Sequence, residues 1–143
     1  MIKVENSVFI NKPVEHVFAY TNNLAHSPEW QGSLGSIKYQ DATPKVGGKF
    51  TEVRKIMGRE MKTTLEITAL ETNALYSAKT LSGPLPFEVT VTFESVDDGT
   101  RMTTKVEGEA RGFLKLAEST VTKQLKKSLR EDGERLKEIL EGM

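Results

Sequence analysis

Hydrophobic and polar side chains alternate from the start of the chain. Ile2, Val4, Val8 and Ile10 share one face with Asn6, while Lys3, Glu5 and Ser7 take the other, which is the period of a half-buried strand. Asn11, Lys12 and Pro13 end it. Pro13 suits the first turn of a helix, and Val14, Val17 and Phe18 supply that helix with an apolar side. A second short helical segment is expected over residues 24–30. The Gly-, Ser- and Pro-rich stretch 32–48 reads as connector, with one short strand at 37–40.

Five further strands are predicted at 50–57, 61–70, 75–81, 87–96 and 102–110, separated by turn residues. Asp98-Gly99 reads as a two-residue hairpin turn pairing 97 with 100, which puts Phe87, Val89, Val91 and Phe93 on one face with Met102, Thr104 and Val106. Gly58-Arg59 likewise sets Ile56 opposite Met61, Arg54 opposite Thr63, Glu52 opposite Leu65 and Phe50 opposite Ile67. Thr72-Asn73 sets Leu70 opposite Leu75, and so Thr63 beside Ser82, Leu65 beside Thr80 and Ala69 beside Tyr76. From 113 to 142 the period becomes helical: Leu114, Ala117, Val121, Leu125, Leu129, Leu136 and Leu140 form one stripe. The prediction is an α+β fold, an antiparallel sheet of six or seven strands curved around a long C-terminal helix, with two short helices after the first strand. A curved sheet around one helix leaves space between them, expected here as an apolar cavity of roughly 300–1,000 Å³.

Composition narrows the function. The 143 residues suit one domain, 1–143, with 20 basic and 20 acidic side chains in balance, so no global field exists to collect nucleic acid. Cysteine is absent, which removes thiol nucleophiles and thiolate metal sites. His16 and His26 are the only histidines, too few to anchor a zinc site, and no metal or cofactor is expected. No apolar run approaches the ~20 residues that span a bilayer, and no signal core is seen, so no integral membrane contact and a cytoplasmic location are expected.

The order of elements resembles the helix-grip (START and birch-pollen-allergen-like, SRPBCC) superfamily over essentially the whole chain. Ile10, Pro13, Val17, Phe18 and Trp30 resemble the opening of its bacterial polyketide cyclase/dehydrase-like branch, and Val46-Gly47-Gly48, Gly58 and the terminal helix fall where that family puts them. The pollen-allergen group has a longer glycine-rich loop, of which only Gly47 and Gly48 remain. The resemblance implies a cavity for a hydrophobic small molecule or lipid. Some relatives are enzymes, so a cyclase/dehydrase acting on a polyketide-like or aromatic substrate is the alternative, and a protein-interaction module a second. Neither catalytic residues nor oligomeric state follow from it.

The expected ligand-binding residues are Trp30, Glu52, Arg54, Thr63, Leu65, Tyr76, Thr80, Phe87, Val91, Phe93, Met102, Ala117 and Val121. Trp30 reads either as a core anchor or as a ligand wall, His26 as a loop histidine packed on Trp30 or an imidazole at the cavity mouth, and His16 as solvated. The register clusters Glu52, Arg54, Thr63, Thr80 and Ser82 at one end of the inner face, with Tyr76 at the other. A bulge in 50–57 would instead turn Glu52 and Arg54 to solvent. Lys45, Lys49, Arg54, Lys55, Arg59 and Lys62 outnumber Glu52 and Glu60 in the same hairpin, which reads as a guarded sheet edge or as a surface for an anionic partner or membrane.

Overall fold

A computed structural model describes residues 1–39 and 44–143. Strand β1 (Ile2–Ile10) leads into α1 (Val14–Asn22), a 3-10 turn (Leu24–His26) and α2 (Ser27–Trp30). Six strands follow: β2 (Leu34–Tyr39), β3 (Lys49–Ile56), β4 (Arg59–Glu71), β5 (Leu75–Ser82), β6 (Phe87–Val96) and β7 (Gly99–Gly108). The chain ends in α3 (Phe113–Leu116) and α4 (Glu118–Glu141). The strands form one curled antiparallel sheet in the order β1-β7-β6-β5-β4-β3-β2, and α4 lies along β1. The α+β arrangement of a sheet gripping one long helix is as expected, with seven strands. The expected strand at 37–40 starts earlier, at Leu34, and its last residue, Gln40, lies outside the described residues.

Two hairpin turns sit one residue earlier than expected. Met57 and Gly58 form the β3–β4 turn with φ of 52° and 77°, so Ile56 faces Arg59, Arg54 faces Met61, Glu52 faces Thr63 and Phe50 faces Leu65. The tight turn needs left-handed backbone at its centre, which Met57 adopts, and Ile56 and Met61 on either side of it both lie in the core. Between β6 and β7 the turn is Asp97-Asp98, with Asp97 at φ 53° and Val96 facing Gly99. Gly99 is required for space: a Cβ there would lie 2.5 Å from the Phe9 ring and 2.7 Å from the Ile10 carbonyl. Both slips move a pairing by two residues, so every side chain keeps its predicted face.

The β4–β5 turn is three residues long, with Asn73 at φ 61° and Glu71 facing Leu75. An irregularity between Ile67 and Ala69 restores the expected Leu65–Thr80 pair. A second shift puts Thr64 beside Ser82 where Thr63 was expected, and Ala69 faces Ser77 where Tyr76 was expected. The bulge expected as an alternative in β3 is absent from its pairing with β4; the β2–β3 irregularity falls between Leu34 and Ser36, on β2.

The terminal helix is not continuous over 113–142. It breaks at Ala117 (φ −108°, ψ 19°), so that Leu114 and Val121 fill one cluster while Leu116 points outward. That cluster also holds Ile2, Ile56, Met61, Leu85 and Ala110 and closes one end of the sheet. At the other end Leu136 and Leu140 pack with Ile10, Val17, Tyr20, Phe93 and Met102. Between the two, Gly133 lets α4 approach β1: a Cβ there would meet Asn6 Nδ2 at 3.1 Å, and that same amide donates to the Leu129 carbonyl at 3.3 Å. Asn6, the one polar residue on the inner face of β1, is thereby satisfied.

Leu136 is fully buried, whereas Leu125 is only partly buried beside the space between the two clusters. Leu136→Ala is therefore expected to cost about 2–5 kcal/mol and Leu125→Ala clearly less, read as urea midpoints at unchanged m-value.

Candidate functional site

The inner sheet face, the segment around α2 and the middle of α4 enclose a mainly apolar cavity of about 180 Å³. It is smaller than the expected range because large side chains reach into it, Trp30, Phe87, Phe93 and Leu125 among them. A larger cleft of about 410 Å³ outside α1 is more open to solvent and shares Asn22, Leu24 and Phe50 with the cavity as a common wall. The enclosed space is the better binding site, since only there does a ligand leave water on most sides.

Of the residues expected at the site, Trp30, Glu52, Arg54, Leu65, Tyr76, Phe87, Val91, Phe93 and Met102 line the cavity. Four do not. Thr63 is buried beneath the β5–β6 loop, where a Cβ on Gly83 would lie 2.9 Å from its hydroxyl. Thr80 accepts a hydrogen bond from the Phe87 amide at 3.2 Å, fastening the start of β6. Val121 is consumed by the end cluster and Ala117 packs beside it at the helix break. Trp30 packs against the core cluster at the α1 end and also lines the cavity.

Glu52 and Arg54 stand two residues apart on β3, so the pleat points both inward. Glu52 is 4% exposed, and the Arg54 side chain 24%. The guanidinium grips the carboxylate with two bonds, Nε to Oε1 at 2.8 Å and Nη2 to Oε2 at 3.1 Å. Its remaining donors reach the segment after α2: Nη1 donates to Ser33 Oγ at 3.1 Å and Nη2 to Gln31 Oε1. The pair is thus internally neutral and ties the loop between α2 and β2 to the sheet.

Tyr76 is not at the opposite end from this pair, as the expected register had it. Its phenol is held well above the ordinary range by burial, then by the nearby Glu52 charge, with Arg54 opposing. It is therefore a neutral donor facing an apolar space.

Sequence reasoning missed Gln31, Ser33, Asp132 and Gly133, all of which line the cavity. The buried Asp132 accepts from the Gly32 amide at 3.0 Å and from Arg135 Nη1 at 3.3 Å through Oδ1. Burial nevertheless raises its pKa above the ordinary carboxylate value, against the Gly32 hydrogen bond and the charges of Arg54 and Arg135. A signal for it existed: the apolar stripe skips from Leu129 to Leu136, and Asp132-Gly133 occupies the missing inward step. Asn22 and Trp30, both lining the cavity, each bury a polar atom, Oδ1 and Nε1, that has no hydrogen-bond partner among the described residues.

His16 is exposed. His26 does not stack on Trp30; its ring lies 4.3 Å from that of Tyr20, and Nε2 faces the Asn23 amide at 3.5 Å.

Glu52→Gln leaves the half-buried Arg54 without its counter-charge and is expected to cost about 3 kcal/mol in thermal or urea unfolding, most of it recovered in the Glu52→Gln/Arg54→Met double variant. Asp132 gives a pH test. Because its native pKa is raised, the folded state binds the proton more tightly than the unfolded chain, and stability falls as pH rises through the window above the ordinary Asp value. Asp132→Asn keeps the Oδ1 acceptor and removes that fall, so the melting temperature of the variant relative to wild type should increase from about pH 4 to about pH 7.

Solved structures share this architecture at identities that establish fold alone. Ara h 8.0201 superposes with a TM-score of 0.75 at 15% identity, covering 99% of this chain and 98% of that one. A START superfamily protein from Mycobacterium smegmatis gives 0.71 at 15%, covering 95% of this chain and 99% of its own. The di-domain aromatase/cyclase BexL from the BE-7585A biosynthetic pathway gives 0.77 at 14%, with 99% of this chain matched to 47% of that one. No curated protein matches the sequence. Among the described residues no helix is long and apolar enough to cross a membrane. Family and fold fit a hydrophobic ligand-binding or polyketide cyclase-like role. The family model for polyketide cyclase/dehydrase and lipid transport proteins matches residues 1–141, and the chain belongs to that family.

Proposed function

We propose that this protein binds a small, largely apolar and uncharged molecule in the cavity between the sheet and α4. The observation that carries the reading is the mainly apolar 180 Å³ space in whose wall the charges of Glu52 and Arg54 neutralise each other. A dry cavity of about 150 Å³ is known to admit benzene, so the closed form suits a ligand the size of one substituted aromatic ring. A long-chain lipid or an extended polyketide requires the walls to move. The Tyr76 hydroxyl and the unmet polar atoms of Trp30 and Asn22 favour a ligand carrying a hydroxyl or carbonyl group over a pure hydrocarbon.

A second reading has one specific observation behind it. Asp132 borders the cavity with a raised pKa, which makes it a stronger base than an ordinary carboxylate and suits proton abstraction beside a carbonyl, as a cyclase-type reaction needs. The two readings separate in the Asp132→Asn variant: a carrier keeps its affinity, and an enzyme keeps affinity but loses turnover of a poly-β-ketone.

Native mass spectrometry of protein purified from its own host, together with thermal shifts against phenol and indole, tests the primary reading. The expected result is a retained small molecule or a saturable rise in melting temperature that Val91→Phe, which fills the cavity, abolishes. Absence of both a retained molecule and any shift would overturn it.

A further inference from the structure

We infer that the end of the sheet closed by α3 is a docking surface for an anionic lipid bilayer. At this end β1 and β6 begin and β7 finishes, since Ile2 and Phe87 both pair with Gly108. Its tip consists of the Met57-Gly58 turn, the loop before β6 and α3.

Three observations converge there. First, large apolar side chains point to solvent: Leu116 is 94% exposed, Leu81 47% and Met57 44%. These positions flank a single buried cluster. Ile56, Leu85 and Leu114 pack together within it, and Met57 and Leu116 stand one and two residues beyond Ile56 and Leu114. The helix break at Ala117 is what aims Leu116 outward, whereas the expected continuous helix would have carried it on the flank of a longer rod. Isolated exposed apolar residues need no explanation, but several at one end of the sheet, in a turn, a strand end and a short helix, form the kind of patch that marks an interaction site.

Second, the flanking charges are cationic in a chain that is neutral overall. Lys55, Arg59, Lys62, Arg111 and Lys115 surround the tip, with Glu60 and Glu109 as the only acidic side chains in residues 55–62, 83–86 and 109–116. Apolar side chains that enter the headgroup boundary beside a basic ring match the chemistry of an anionic membrane surface. A partner protein would not require that charge to surround exposed Leu and Met.

Third, the patch and the cavity share their wall. Ile56 and Leu85 line the cavity from inside and belong to the plug whose outer neighbours form the patch. A bilayer that draws Met57 and Leu116 outward acts on the residues that close the cavity, so docking and ligand exchange meet at one place. This also gives the excess of basic residues in the β3–β4 hairpin a role that the binding site does not absorb.

The test uses the whole chain, without added ligand, sedimented with vesicles of phosphatidylcholine alone or with phosphatidylglycerol added. The wild type should bind the anionic vesicles and not the zwitterionic ones, and the binding should weaken with salt. Leu116→Asp should reduce it at least ~tenfold and Lys115→Gln about fivefold, with melting temperatures unchanged because both side chains are exposed. Leu116→Trp should retain binding, and its emission, measured above the Trp30 background, should shift to the blue on the anionic vesicles alone. Failure of the wild type to bind, equal binding by all variants, or an unshifted emission would overturn the proposal. So would a dimer on size exclusion that Leu116→Asp splits, since the patch would then be closed by a second copy. These readouts concern the surface of the empty protein, so their failure leaves the cavity reading standing and the reverse.

Discussion

The seam between α4 and β1 sets the rest of the structure. Gly133 removes the Cβ that would press on Asn6, and the Asn6 amide bonds the Leu129 carbonyl, so the middle of the helix is fixed against one edge strand of the sheet. The sheet then curls away from that seam through β7 and β6 to β2. Leu114 and Val121 near one end, and Leu136 and Leu140 near the other, reach across the gap and fill it. The midsection carries Leu125, Ser128, Leu129 and Asp132, which do not fill it, and the cavity is what remains. Void and plug arise from the same helix stripe.

Placing a charged pair in that void is expensive unless every donor finds an acceptor. Arg54 meets the condition through Glu52, Ser33 and Gln31, two of which come from the connection after α2. The Lys55 amide bonds the Ser33 carbonyl of that connection at 2.8 Å, and the side-chain bonds of Arg54 and the Gly32 amide bonded to Asp132 add to this hold. Replacing the pair with hydrocarbon removes the buried charge but also the two side-chain bonds from Arg54 to a loop that forms part of the cavity wall. The pair therefore holds a shape as well as a charge balance.

The faces of the strands were legible in the sequence because alternation is a parity signal. Moving the β3–β4 and β6–β7 turns by one residue shifted pairings by two and left Leu65, Phe93 and Met102 pointing inward as read. Exact partners were not legible, since Met57-Gly58 and Gly58-Arg59 both put Gly58 in the turn and leave every side chain on the same face. The Asp98-Gly99 signal misled for a different reason: Gly99 serves the close approach of Phe9 and Ile10 on a strand distant in sequence. Gln31 and Ser33 carried no periodic signal, because their place at the cavity depends on a guanidinium more than twenty residues away. Asp132 was visible only as a gap in a hydrophobic stripe.

The two ends of the cavity differ in what holds them shut. The end near α1 is sealed by Ile10, Val17, Phe93, Met102 and Leu136, contributed by the interiors or termini of long elements. The other end is sealed by Ile2, Met61 and Val121 from long elements together with Ile56 beside a two-residue turn, Leu85 in a connection, Ala110 after β7 and Leu114 in a four-residue helix. Local opening costs least where backbone is held by few long-range pairings and side chains sit on short connections. Contents of the proposed site that exchange by local opening would leave by the end with more of its seal on short segments, the one carrying Met57 and Leu116.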